Sequence, residues 1–266
     1  MARTVLVIEP HPDDGAIMAG GTVAKMVREG NEVYFVTVTD GERGTMDRGI
    51  KSWDQLREIT RREAREATRI LGVKDEFFLN YPNHDVTFEL ERELKEKFIR
   101  IIRQVRPDIV MTYDPYAPYE PNPDHRTVAF ATYDAVTFSH HHLECPEHLQ
   151  EGLDTHIVKE IWFFNSPNPD LVIDISDTVW IKVKAIAAYR SQIEAMIEEV
   201  RQRLRVIGFR APILEINDLE DIILKLWIYP SMENGRFVEK FKVIRPFISE
   251  RVGHLIREGL VQPLKF

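Results

Sequence analysis

One imidazole and two carboxylates crowd the stretch Pro10-His11-Pro12-Asp13-Asp14-Gly15. Imidazole with carboxylate suits a zinc ion, and a second carboxylate beside them suits a general base. His11 and Asp14 are three apart across a turn, close enough to ligate one ion. Asp13 points elsewhere from the same turn and can hold a water bound to that ion. The same residues also read as a plain turn with Asp14 capping a helix. A zinc site needs a third protein ligand. Pro121-Asn122-Pro123-Asp124-His125 offers His125, at a helix start. The triplet His140-His141-His142 competes, but adjacent histidines diverge and no carboxylate is placed to help, so it reads as loop. His84-Asp85 follows Tyr81-Pro82-Asn83; Asp85 there either binds a polar substrate or serves the turn. Arg61 and Arg62 sit on a densely charged helix, where arginines read first as a solvated face with i,i+4 partners.

These residues act together only if the fold brings them to one edge. Strand patterns at 4–9, 32–39, 75–79 and 108–113 are rich in Val, Ile, Phe and Tyr, as in strands buried on both faces. Helix patterns at 16–29, 54–71 and 89–105 lie between them, which predicts an α/β fold with a mostly parallel sheet flanked by helices. Ligands bind such sheets beyond the C-terminal strand ends. His11, Asp85 and the proline-rich stretch 113–124 all fall there. A helix then runs from about His125 to Phe138, and strands lie near 159–164 and 171–175. A single long helix spans 178–204, capped by Ser176 or Asp177. A short helix near 218–227 and one or two strands around 237–243 complete the pattern. The whole reads as one domain, with a core at 1–204 and a C-terminal arm or lobe at 205–266.

The bulk numbers exclude several classes. An apolar fraction of 44% over 266 residues supports a real core. The net charge of −8 argues against a nucleic-acid partner. The lone Cys145 rules out an internal disulfide and a cysteine-based structural zinc site, and fits a reducing compartment. There is no signal-peptide core and no bilayer-length apolar run, so a cytoplasmic protein without a membrane partner is expected. His-Pro-Asp-Asp after the first strand, in place of G-x-G-x-x-G, speaks against a dinucleotide site, because carboxylates there repel a pyrophosphate.

Four blocks in order carry a resemblance. They are Pro10-His11-Pro12-Asp13-Asp14; Glu63-Ala64-Arg65-Glu66-Ala67 through Leu71-Gly72-Val73; Arg106-Pro107-Asp108-Ile109-Val110 followed by Pro123-Asp124-His125-Arg126; and Lys184 through Tyr189-Arg190-Ser191-Gln192. With these the sequence resembles the PIG-L/LmbE-like family of zinc-dependent N-acetylglucosaminide deacetylases. The Glu-Pro-His-Pro-Asp-Asp-Gly opening is most similar to the archaeal diacetylchitobiose deacetylases within it. The resemblance implies a Rossmann-like fold with a C-terminal extension. It implies one Zn²⁺ per subunit held by His11, Asp14 and His125, with Asp13 as general base. The implied reaction hydrolyses the N-acetyl group of N-acetylglucosamine or its β-1,4 dimer and releases acetate. A small amino-sugar is then the partner, and a homo-oligomer is expected. Arg61 or Arg62, Asp85 and Asn122 are candidates to contact the sugar. His254, in the C-terminal arm, reads as a surface residue, or as completing a neighbour's pocket if the arm crosses to it. A deacetylase of another glucosaminide conjugate, of the GlcNAc-malate or mycothiol-precursor type, is the alternative. A non-catalytic binding protein on the same fold is disfavoured by the intact His11, Asp13, Asp14 and His125. The chain departs from the family pattern at Gly15, Asn122 and Tyr189, where the family commonly has Glu, His and His.

Overall fold

A computed structural model describes residues 2–216, 218–246 and 250–262. β1 (Thr4–Glu9), β2 (Glu32–Thr39), β3 (Asp75–Tyr81), β4 (Ile109–Tyr113) and β5 (Glu160–Phe164) form a parallel sheet in the order β3-β2-β1-β4-β5. The crossover helices are α1 (Asp14–Arg28), α2 (Trp53–Leu71), α3 (Glu91–Val105) and α4 (Pro123–Phe138). Alternation along β1 shows why both faces are covered. Val5 and Val7 join one core, against α1 and α2, while Leu6 and Ile8 join a second core, against α3 and α4. α2 is delimited as its sequence demands: Ser52 accepts the Gln55 N–H at 3.2 Å, and Gly72 closes the helix at φ 79°.

α1 starts two residues earlier than the apolar pattern predicts. Asp14 therefore lies inside its first turn, and Asp13 occupies the cap position. After the short α5 (Glu147–Gln150) and β6 (Leu171–Asp174), the single helix expected over 178–204 is two helices, α6 (Val179–Ala188) and α7 (Arg190–Val206). The chain breaks at the fully buried Tyr189, with φ −78° and ψ 48°. The break lets Ser191 donate its N–H and its hydroxyl to Glu63 of α2, at 3.0 and 2.6 Å. Neither Ser176 nor Asp177 caps α6. Thr178 holds the cap position and spends its hydroxyl on the Gly21 carbonyl at 2.8 Å, while the Ser176 Oγ accepts the Phe237 N–H.

The segment after 205 carries α8 (Leu219–Ile223), which runs on as one π-helical turn, then β7 (Met232–Glu233), β8 (Arg236–Ile244) and α9 (Glu250–Arg257). β8 enters the main sheet antiparallel, between β5 and β6. The Lys182–Glu239 ion pair, at 2.6 Å and almost fully buried, ties it to α6. No described helix is long and apolar enough to cross a membrane.

A pH-sensitive cluster lies inside the sheet. The Thr37 hydroxyl stands 2.7 Å from Glu9 and 3.0 Å from Glu76. Burial pushes the Glu76 carboxyl from 4.5 up to about 7, and Glu9 is raised as well, by burial and then by Glu76. The folded chain thus keeps a proton on Glu76 where the unfolded chain has released it. Stability falls as pH rises between those two values, and the loss is complete above the higher one. Glu76→Gln removes that loss. We expect it to be more stable than the parent at pH 8 by on the order of 1–3 kcal/mol, and equal to it near pH 4, by urea unfolding at both pH values.

Candidate metal centre

The C-terminal end of β1, the first turn of α1 and the first turn of α4 deliver three donor atoms to one point. His11 Nδ1 lies 3.0 Å from Asp14 Oδ2 and 3.1 Å from His125 Nε2, and His125 Nε2 lies 3.5 Å from Asp14 Oδ2. Tetrahedral zinc with arms of about 2.0–2.1 Å spaces its ligands about 3.3–3.4 Å apart. The triangle therefore matches one face of such a polyhedron in size and in donor type. Asp14 is the hub: Oδ2 also accepts the His11 N–H at 2.9 Å, and Oδ1 accepts the Tyr113 hydroxyl at 2.6 Å. Burial opposes its ionisation, but His125 and His11 outweigh it and hold Asp14 well below the usual carboxylate range. The His125 ring stacks on Tyr113 at 4.2 Å, and its Nδ1 lies 3.2 Å from Glu120 Oε1.

Asp124, unassigned in the sequence reading, fixes the orientation of His11. Its fully buried carboxylate stands 3.0 Å from His11 Nε2 and accepts the N–H groups of His84 at 2.8 Å and Val86 at 3.1 Å. A carboxylate on the far ring nitrogen holds a hydrogen there, which leaves Nδ1 as the free lone pair. It also pins the β3–α3 loop beneath the site.

Asp13 faces the same space. Its Oδ2 is buried with no hydrogen-bond partner, and burial, then the Asp14 charge, push it up to about 7. His11, Asp13, Asp14, Asn122 and His125 all line one cavity of about 570 Å³, within the range of small-molecule sites. Asn122 caps α4, its Oδ1 accepting the Asp124 N–H at 2.9 Å.

The remaining candidates lie elsewhere. Arg61 is engaged by Asp40 at 3.1 Å and by Asn80, outside the cavity, and Arg62 is exposed on α2. The reason is the Asp40 carboxylate at the end of β2, which draws both Arg57 and Arg61 to itself. Asp85 is exposed and meets the cavity only through Arg43, 2.6 Å away. His254 is exposed on α9, 4.0 Å from Glu258. Arginines do line the cavity, but they are Arg203 of α7 and Arg43, which comes from the turn after β2 with its guanidinium 4.6 Å from the exposed Trp53 ring. Asn83 lines it too, and its buried Oδ1 has no partner. The strand-end rule that singled out His11 also covers both. From the far side come Gln192 and Met196 of α7.

His140–His142 form an exposed loop, as expected. Nearby, Cys145, Glu147 and His148 come close enough to share an ion. There, however, the Arg103 guanidinium faces His148 Nδ1 at 3.2 Å. Arginine only donates, so Nδ1 accepts and Nε2 keeps its hydrogen, which makes His148 a poor ligand.

The family model for GlcNAc-PI de-N-acetylase, PIG-L, matches residues 6–136. A diacetylchitobiose deacetylase of Thermococcus kodakarensis is 36% identical over 190 residues, 71% of this chain and 70% of the relative. A probable N-acetyl-alpha-D-glucosaminyl L-malate deacetylase 2 of Bacillus cereus is 30% identical over 209 residues, covering 77% and 90%. The solved N,N'-diacetylchitobiose deacetylase from Pyrococcus horikoshii superposes with a TM-score of 0.74 at 32% identity, over 93% of this chain and 85% of that one. The mixed α/β architecture with its mostly parallel sheet is thus the one these deacetylases share. By its motif blocks, its sequence relatives and its fold, the chain belongs to the PIG-L family of de-N-acetylases.

Proposed function

We propose that the protein hydrolyses the N-acetyl group of N-acetylglucosamine units, with the β-1,4 dimer as preferred substrate, and releases acetate. Its cofactor in this reading is one zinc ion held by His11, Asp14 and His125. The observation that carries it is the donor triangle, with the unpartnered Asp13 oxygen in the same cavity. The names of the Thermococcus and Pyrococcus relatives support the disaccharide. When bound, the ion supplies Lewis acidity for the amide carbonyl and makes water a nucleophile near neutral pH.

The chain's own residues do the rest. Asp13 takes the proton of the attacking water, and its raised affinity for that proton suits the task at neutral pH. The same carboxyl then gives the proton to the departing sugar nitrogen. Asn122 Oδ1 is committed to its helix cap, which leaves the Nδ2 hydrogens to donate to the amide oxygen as it gains charge. Arg43 and Asn83 are placed to meet sugar hydroxyls. The reading extends to a single catalytic domain in a cytoplasmic homo-oligomer. The lone Cys145 supports the compartment, and exposed Val206, Ile207 and Phe209 at the end of α7 support self-association.

Acetate release from N-acetylglucosamine, its β-1,4 dimer and a GlcNAc-malate conjugate tests the substrate. We expect the dimer to turn over fastest, with activity lost to a chelator and restored by zinc. Equal rates on monomer and dimer discard the disaccharide, and turnover of the malate conjugate alone moves the protein to the other branch.

A further inference from the structure

We propose that Glu9 is a positioning residue: it caps α1 in place of Asp13 and so keeps the Asp13 carboxylate available for proton transfer. The proposal rests on the reading of Asp13 as the base. Asp13 occupies the N-cap of α1. An aspartate there ordinarily turns back onto the N–H two or three residues ahead, here Gly15 or Ala16. Asp13 makes no such bond, and its Oδ2 is buried and unpartnered. The Gly15 N–H is already taken, at 2.7 Å, by Glu9 Oε2.

Glu9 is the last residue of β1 and is fully buried. Its other oxygen, Oε1, accepts the Thr37 hydroxyl of β2 at 2.7 Å. The carboxyl group is thus braced by the sheet and aimed at the first turn of the helix, where backbone N–H groups have no intrahelical partner. Position 15 is built around it. A Cβ at Gly15 would stand 2.8 Å from Glu9 Oε2 and 2.7 Å from Phe35 Cε2. Glu9 and Gly15 therefore form one device: the glycine clears the space, and the glutamate fills it with the acceptor that the helix end needs. Without that acceptor the nearest substitute is Asp13 itself, and a capped Asp13 is turned away from the cavity.

Two variants separate this role from simple support. Glu9→Gln keeps an amide oxygen for the Gly15 N–H and a donor for Thr37. Glu9→Met fills the same space with no acceptor. Both are purified, checked for zinc content and melting temperature, and assayed. We expect Glu9→Gln to hold kcat within about threefold of the parent. We expect Glu9→Met to lose about a hundredfold in kcat, the low end of a general base's contribution, with KM and zinc content unchanged. Its crystal structure should show Asp13 accepting the Gly15 N–H. Parental kcat in Glu9→Met, or an equal loss in a folded Glu9→Gln, overturns the proposal. If Glu9→Met does not fold, Gly15→Ala repeats the test by displacing the Glu9 carboxylate, with the same expected loss and the same overturning result. The Asp13 conformation in these crystals decides the capping claim even if the parent deacetylates no sugar, an outcome that would instead sink the proposed function.

Discussion

Asp13→Asn will keep its metal and lose nearly all turnover. The change is isosteric and spares all three atoms of the donor triangle, so zinc content should match the parent. What it removes is the carboxyl group that takes a proton and returns it in the proposed reaction. Asp13 is buried, with one oxygen unpartnered, and shares its turn with two of the three donors. Asparagine has no lone pair of comparable basicity. A positioned general base contributes about 10²–10⁴-fold to rate, so the variant should fall by at least that much in kcat, with KM little changed. Acetate release and bound zinc measured on the same preparation check both halves. Substantial remaining activity removes Asp13 from the base role.

His125→Ala has the second large effect, by a different route. It deletes one corner of the triangle and leaves only His11 Nδ1 and Asp14 Oδ2, fewer protein donors than catalytic zinc sites use. We expect zinc content after desalting to drop below about one-tenth per chain and activity to vanish with it, since solvent water is then left near its bulk pKa of about 15.7. Added zinc should not restore the rate. The lost ring also leaves the Tyr113 face without its partner, so melting temperature is read alongside. A fully zinc-loaded His125→Ala protein would end the ligand assignment.

Much of the scaffold was legible because β1, β2, β4 and β5 are buried on both faces, which forces runs dominated by apolar residues into the sequence. The α6–α7 break was not, because its cause is remote. No local residue ends α6; the chain turns so that Ser191 can reach Glu63, and Tyr189 is buried at the corner. Ser176 misled as a helix cap for a similar reason, since β8 claims its hydroxyl. In the site, His11, Asp14 and His125 were readable as metal-friendly types at strand and helix ends. Asp124 was not, because its work depends on burial beneath the His84–Val86 backbone, which no spacing reveals. The arginines show the opposite error: Arg61 had the right type but is held by Asp40, while Arg43, which the sequence did not single out, reaches the cavity from the turn after β2.

The antiparallel entry of β8 sets the order in which this protein can be built. Among the described residues β6 borders β8 and no other strand, and β5 has β8 as its outer neighbour. On a ribosome, β6 and the outer edge of β5 must wait for residues 236–244 to emerge, while β1–β4 and the inner edge of β5 already have their partners. For that interval Ile161, Trp162 and Phe163 present an unpaired apolar edge. The late, long-range closure makes slow maturation and a demand for chaperones the natural cost of this topology.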